Sequence, residues 1–247
     1  MFIERWGEGE QHYFGIHGWS GDHRTFQPLA RQLPPGATLF SVDLPGCGRS
    51  VAPVRWSLES VVDELASGVR APVTLAGNCS GAIFALLLAQ RIPERIERVV
   101  LIDAFASWPW YFRVFTSESI GRHAYFSTFA NPVGRWITNL SLAGKRGSDT
   151  HLTSGFAATN HEITYRYLTL LKEAGSCERF AGLRMPIDVI YGERSFHAVR
   201  ESVDVWRRMW PRARTWQLPN AGHLPILEAT GALQKILFQE TSCLIAP

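Results

Sequence analysis

Residues 72 to 92 read PVTLAGNCSGAIFALLLAQRI. The first six form a strand pattern that is apolar on both faces, and "GAIFALLLAQRI" is a helix pattern apolar nearly all the way round, ending before Pro93. A strand without a polar face must be covered on both sides, and a helix without one must lie inside the molecule. This single stretch therefore demands a sheet sandwiched between helices. The rest of the chain agrees, because short β-branched or aromatic runs alternate with helical patterns. The runs are HYFGI (12–16), ATLFSVD (37–43), IERVVLID (96–103), PIDVIYG (186–192) and ARTWQLP (213–219). Between them Asp22 caps a helix through "HRTFQPLARQL", which Pro34-Pro35 stops. Ser57 caps a second whose Leu58, Val61, Val62 and Leu65 share a face, "AVRESVDVWRRMW" is a third, and a closing helix follows "NAGHLP".

The rhythm breaks between 106 and 182, where the chain is aromatic-rich and irregular, from "FASWPWYFRVF" to the helical "HEITYRYLTLLKEAG". An insertion of that size between two strands reads as a cap over the strand ends. The organisation expected is thus a core of residues 1–105 and 183–247 with a helical cap of 106–182. At 247 residues, 46% hydrophobic and 19% charged, the chain suits one sizeable ordered domain. Its longest apolar run, residues 82–89, is far short of the ~18 residues a membrane span needs. The opening "MFIERWGEGE" carries glutamates instead of a secretory pattern, so a cytoplasmic protein is expected. A net charge of +3 spread over scattered arginines gives no reason to expect nucleic-acid binding. Cys47, Cys79, Cys177 and Cys243 lack CxxC spacing and are expected to be thiols. The eight histidines form no metal motif, so neither metal nor cofactor is expected.

Chemistry concentrates in "GNCSG". A nucleophile in a strained strand-to-helix turn needs small flanks two residues away on either side. Gly77 and Gly81 supply them to Cys79, whereas Ser80 would have Asn78 and Ala82, so Cys79 is the expected nucleophile.

His17-Gly18-Trp19, "DLPGCGRS" (43–50), "GNCSG" (77–81) and "NAGHLP" (220–225) together resemble the α/β-hydrolase-fold proteins over nearly the whole chain. The arrangement is similar to the pimeloyl-carrier-protein methyl ester esterases and related small lipases. The resemblance implies a mainly parallel, doubly wound sheet with a helical cap inserted after the sixth strand, and an acyl-transfer site at the carboxyl ends of the strands. The backbone N–H groups of Trp19 and Ser80 would form the oxyanion hole, His223 would take the thiol proton, and His17 would be structural. The acid departs from the family's commoner Gly-x-x-Asp: this chain has Gly192-Glu193-Arg194-Ser195, and serine carries no charge. Glu193 and Asp103 are the candidates. Asp103, 24 residues after Cys79 (103 − 79), has room for one helix and one return strand and is preferred.

A thiolate exchanges acyl groups with thioesters at little energetic cost, and its acyl-enzyme favours capture by amines or carbanions. Cysteine branches of the family include dienelactone hydrolases, polyester synthases and stand-alone cyclases that close rings by Dieckmann condensation; the last resemble this chain in size. Cyclisation or acyl transfer from a carrier-bound thioester and plain thioester or ester hydrolysis both remain open, with a non-catalytic ligand receptor the lesser alternative. The expected partner is a small acyl substrate, for whose acidic carrier protein the Arg-rich exterior would suit docking. Trp108, Trp110 and Phe112 of "SWPWYF" would line an apolar acyl pocket, or else form the cap's own core.

Overall fold

The computed structural model describes residues 1–239. One sheet runs through it, in the order β1-β3-β2-β4-β5-β6-β7. Its strands are β1 (Ile3–Trp6), β2 (Gln11–Ile16), β3 (Ala37–Val42), β4 (Val73–Asn78), β5 (Ile96–Ile102), β6 (Ile187–Gly192) and β7 (Arg214–Leu218). Every neighbouring pair is parallel except β1 with β3, where Ile3 lies opposite Val42. The pattern reading begins only at β2, because the four residues of β1, "IERW", mix charge and apolarity at a half-exposed edge.

Successive residues of the central strands feed two separate cores. Leu75, Val99, Leu101 and Val189 pack on one face with α2 (Leu58–Gly68), α3 (Gly81–Arg91) and Trp206 of α8 (His197–Met209). Ala76, Val100, Ile102 and Ile190 pack on the other, against Leu29 of α1 (Gln27–Ala30) and Leu233 of α10 (Thr230–Gln234). This period-two division is the doubly wound architecture that fully apolar strands require. Ser57 caps α2 by accepting from the Ser60 N–H at 3.1 Å. The helix expected over 23–33 is instead a 3₁₀ turn (His23–Phe26) followed by the single turn of α1, since Pro28 cannot donate the hydrogen bond that would continue it. The closing helix is likewise divided, into α9 (Pro225–Glu228) and α10.

The long insertion follows β5, so in this chain it comes after the fifth strand and not the sixth. The family count presumes one more strand ahead of this point than the chain forms. The insertion contains α4 (Trp110–Phe115), α5 (Gly121–Tyr125), a π-turn (Phe126–Ala130), α6 (Pro132–Ser141) and α7 (His161–Glu173). Its own core is Tyr125, Phe129 and Phe156, gathered round Trp19 of the sheet domain. The indole of Trp19 meets Phe112, Phe129 and Phe156 edge-on and donates from Nε1 to the Thr164 carbonyl at 2.9 Å. Cys47, Cys79 and Cys177 are free thiols, whereas Cys243 lies outside the described residues. Among the described residues no helix is long and apolar enough to cross a membrane.

Candidate active site

Five loops at the carboxyl ends of β2, β4, β5, β6 and β7 converge on one point. Cys79 follows β4 with φ +52°, a left-handed conformation costly for any residue with a Cβ. Its flanks explain how the turn closes. A Cβ on Gly77 would sit 2.5 Å from the Ala82 Cα, and one on Gly81 would sit 2.3 Å from the Ile16 carbonyl oxygen. The Cys79 N–H donates to the Ile102 carbonyl at 2.8 Å, tying the elbow to the end of β5.

The next residue after β5 is Asp103, also left-handed at φ +54° and fully buried. Its N–H donates to Ile190 at 2.7 Å, and its Oδ1 accepts from the Gly192 N–H at 2.9 Å. Its Oδ2 faces both His223 Nδ1 and the Ser195 hydroxyl. His223 comes from the loop after β7. The insertion holds this loop in place: the His223 N–H donates to the Lys145 carbonyl at 2.8 Å, and a Cβ on Gly222 would lie 2.3 Å from that same oxygen. The carboxylate of Glu228 accepts from Gly222 on one side and from Gly147 (2.8 Å) and Thr150 (2.7 Å) on the other. Phe105 and Phe196 pack on the imidazole, with ring centroids 5.7 and 4.6 Å away.

Since Nδ1 is taken by Asp103, Nε2 is left for the Cys79 sulfur. Burial opposes the imidazolium, but the negative charges of Cys79 and Asp103 and the hydrogen bond to Asp103 outweigh it, raising His223 to about 10. Glu193, the rival acid, points elsewhere: it is exposed and its Oε2 accepts from the Asn220 N–H at 2.8 Å.

The backbone N–H groups of Trp19 and Ser80 donate to no other protein group among the described residues. Gly18 lets this turn close on the elbow, for a Cβ there would meet the Asn78 oxygen at 2.9 Å and the Cys79 Cβ at 3.0 Å. His17 is buried, with Nδ1 donating to the Gly18 carbonyl (2.8 Å) and Nε2 accepting from the Leu44 N–H (3.1 Å). Burial lowers its pKa, so it serves this turn as a neutral ring.

A cleft of about 710 Å³, measured with its open mouth, runs from Cys79 under the insertion, with Trp19, Ile83, Trp108, Phe112 and Leu171 among its walls. Trp110 is not part of it and is 73% exposed. Trp108, just ahead of α4, and Phe112 within it have ring centroids 5.1 Å apart, whereas Trp110 opens the helix away from them. Apart from this site, ligand atoms of Asp22, His23 and Asp43 lie within 4.8 Å of one another. Their oxygens already accept from His23, Arg24 and Arg49, so these groups serve the turns that follow β2 and β3. The sequence reading misses Ser195, Glu228, Phe105, Phe196 and the Lys145 carbonyl; only Ser195 carries a sequence signal, its place three residues after Gly192.

Residues 15–233 match the model of the Alpha/beta hydrolase family. The pimeloyl-[acyl-carrier protein] methyl ester esterases of Salmonella agona and Salmonella heidelberg are each 24% identical to this chain, over 99% of both lengths. Among solved structures, a thermophilic esterase from Thermogutta terrifontis superposes with a TM-score of 0.79 at 19% identity, covering 98% of this chain and 92% of that one. The enol-lactonase from Burkholderia xenovorans gives 0.71 at 18% identity, covering 98% and 96%.

Proposed function

This chain belongs to the alpha/beta hydrolase family, and from that premise we propose that it cleaves an acyl ester or thioester through a Cys79–His223–Asp103 triad. The observation that carries the reading is the His223 ring, bonded to Asp103 through Nδ1 and near enough to the Cys79 side chain to feel its charge.

The thiolate of Cys79 attacks the substrate carbonyl, forming a C–S bond and moving the carbonyl electron pair onto oxygen. The N–H groups of Trp19 and Ser80 stabilise that oxyanion. Collapse expels the alcohol or thiol, which takes its proton from the His223 imidazolium. Water then gives a proton to His223 and attacks the acyl-enzyme, and the C–S bond breaks to release acid and thiolate. Asp103 holds the ring in the tautomer both steps need. Residues 106–182 act as the cap, and Trp108 and Phe112 receive the acyl chain. An acyl group delivered on a carrier protein is supported by the names of the curated relatives.

Ring closure is the second reading, favoured by sulfur at the nucleophile position. There a carbon acid within the substrate gives its proton to His223 in place of water, the carbanion attacks the same acyl-enzyme in a Dieckmann-type condensation, and the C–S bond breaks to release the ring and the thiolate. Intact-mass spectrometry after mixing wild type and Cys79→Ala with a short β-ketoacyl-aminoacyl thioester tests both. Acylation of the wild type alone is expected, with free acid marking hydrolysis and a product one water lighter marking cyclisation. Acylation of Cys79→Ala at the wild-type rate would overturn the nucleophile.

A further inference from the structure

Ser195 is fully buried and stands where the family's commoner pattern puts the acid. Its Oγ donates to Asp103 Oδ2 and lies 3.3 Å from His223 Nδ1, so one hydroxyl touches both the acid and the histidine. The turn that carries it is hydrogen-bonded, with the Ser195 N–H donating to the Gly192 carbonyl at 3.1 Å and the Arg194 N–H to that of Ala221 at 2.8 Å.

We propose that Ser195 is a positioning residue that acts through Asp103, replacing the missing acid of its own loop by orienting one that arrives from the neighbouring strand. The assignment rests on the triad reading. A carboxylate entering from the end of β5 can rotate about its own side-chain bonds unless both oxygens are held. The Gly192 N–H holds Oδ1 and the Ser195 hydroxyl holds Oδ2. The carboxylate plane is then set so that His223 Nδ1–H meets Oδ2. Without the hydroxyl, Oδ2 keeps only the histidine, and the imidazolium and the thiolate it stabilises are held less firmly.

The test follows iodoacetamide alkylation of Cys79 against pH in the full-length chain, read by peptide mass spectrometry, with thermal melting alongside. Iodoacetamide reports the thiolate whatever the natural substrate is. Ser195→Ala is expected to melt as the wild type does, to move the alkylation midpoint to higher pH, and to slow labelling at neutral pH about tenfold, one pKa unit being tenfold. Because Ser195 acts through Asp103, the same change made in Asp103→Asn is expected to add nothing. An unmoved midpoint in Ser195→Ala, or an equal further shift in the Asp103→Asn background, overturns the assignment. If Ser195→Ala melts early, Ser195→Thr, which keeps the hydroxyl, must restore the wild-type midpoint; failure to do so overturns it as well. The triad reading fails separately, if His223→Ala and Asp103→Asn leave Cys79 alkylation unchanged.

Discussion

Replacing Asp103 with asparagine removes one charge and little volume from the centre of the site. Burial opposes the imidazolium of His223, yet the anions of Cys79 and Asp103 raise the ring to about 10 against an ordinary 6.5, so Asp103 is one of the two charges on which the ion pair depends. The tautomer adds a further penalty. The Gly192 N–H requires an oxygen at the Oδ1 position, so the asparagine amide would face Nδ1 as a donor. The ring would then carry its hydrogen on Nε2, facing the sulfur, and could not accept the thiol proton. The corresponding change in a serine triad costs ~10⁴ in kcat, and we expect the acylation burst with p-nitrophenyl butyrate to slow by between ~10² and ~10⁴. Since the folded-state pKa is raised, the imidazolium persists at lower pH and disappears as pH rises through about 10. The alkaline limb of the wild-type burst therefore belongs near there and should fall towards neutrality in the variant. The same sign governs stability: this contribution is complete below about 6.5 and gone above about 10. Glu193→Gln, which touches only the exposed Asn220 turn, should leave the burst within about threefold. An Asp103→Asn burst as fast as that would refute the assignment.

Two further substitutions probe the scaffold and the cleft. Gly81→Ala would drive a methyl group to 2.3 Å from the Ile16 oxygen and 2.4 Å from the His17 oxygen, so the elbow must shift. A loss of about 2–4 kcal/mol is expected by urea denaturation, and an unchanged midpoint would show that the turn is looser than its contacts imply. Trp108→Ala should raise KM for long-chain or aromatic p-nitrophenyl esters about tenfold by stripping a cleft wall, whereas Trp110→Ala should leave it within about twofold. Equal effects of the two would remove Trp108 from the acyl path.

The order of strands and helices and the elbow with Cys79 at its tip were legible in the sequence, because each is governed by neighbours in the chain. An all-apolar strand running into Gly77, Cys79 and Gly81 and then an all-apolar helix permits few arrangements, and the glycines are needed because a Cβ would come within 2.5 Å of a neighbour at Gly77 and 2.3 Å at Gly81. The sheet's full extent was less legible, since β1 is four residues at an edge where the amphipathic signal fades.

Which acid meets the histidine could only be ranked from the sequence. Asp103 and Glu193 each follow a strand directly, and the choice turns on where a left-handed residue at the end of β5 aims its carboxylate relative to a loop 120 residues away. The same holds for the aromatic stretch 107–112, where Trp108 and Phe112 line the cleft and Trp110 is exposed. It holds also for Ser195, an uncharged residue at an acid's place until Asp103 stands against it, and for the Lys145 carbonyl, a backbone group with no sequence signature that holds the histidine loop. Local patterns determine which elements form and where the chain bends sharply. Only packing across the sheet brings side chains remote in sequence to within hydrogen-bonding distance, and this site is built from such contacts.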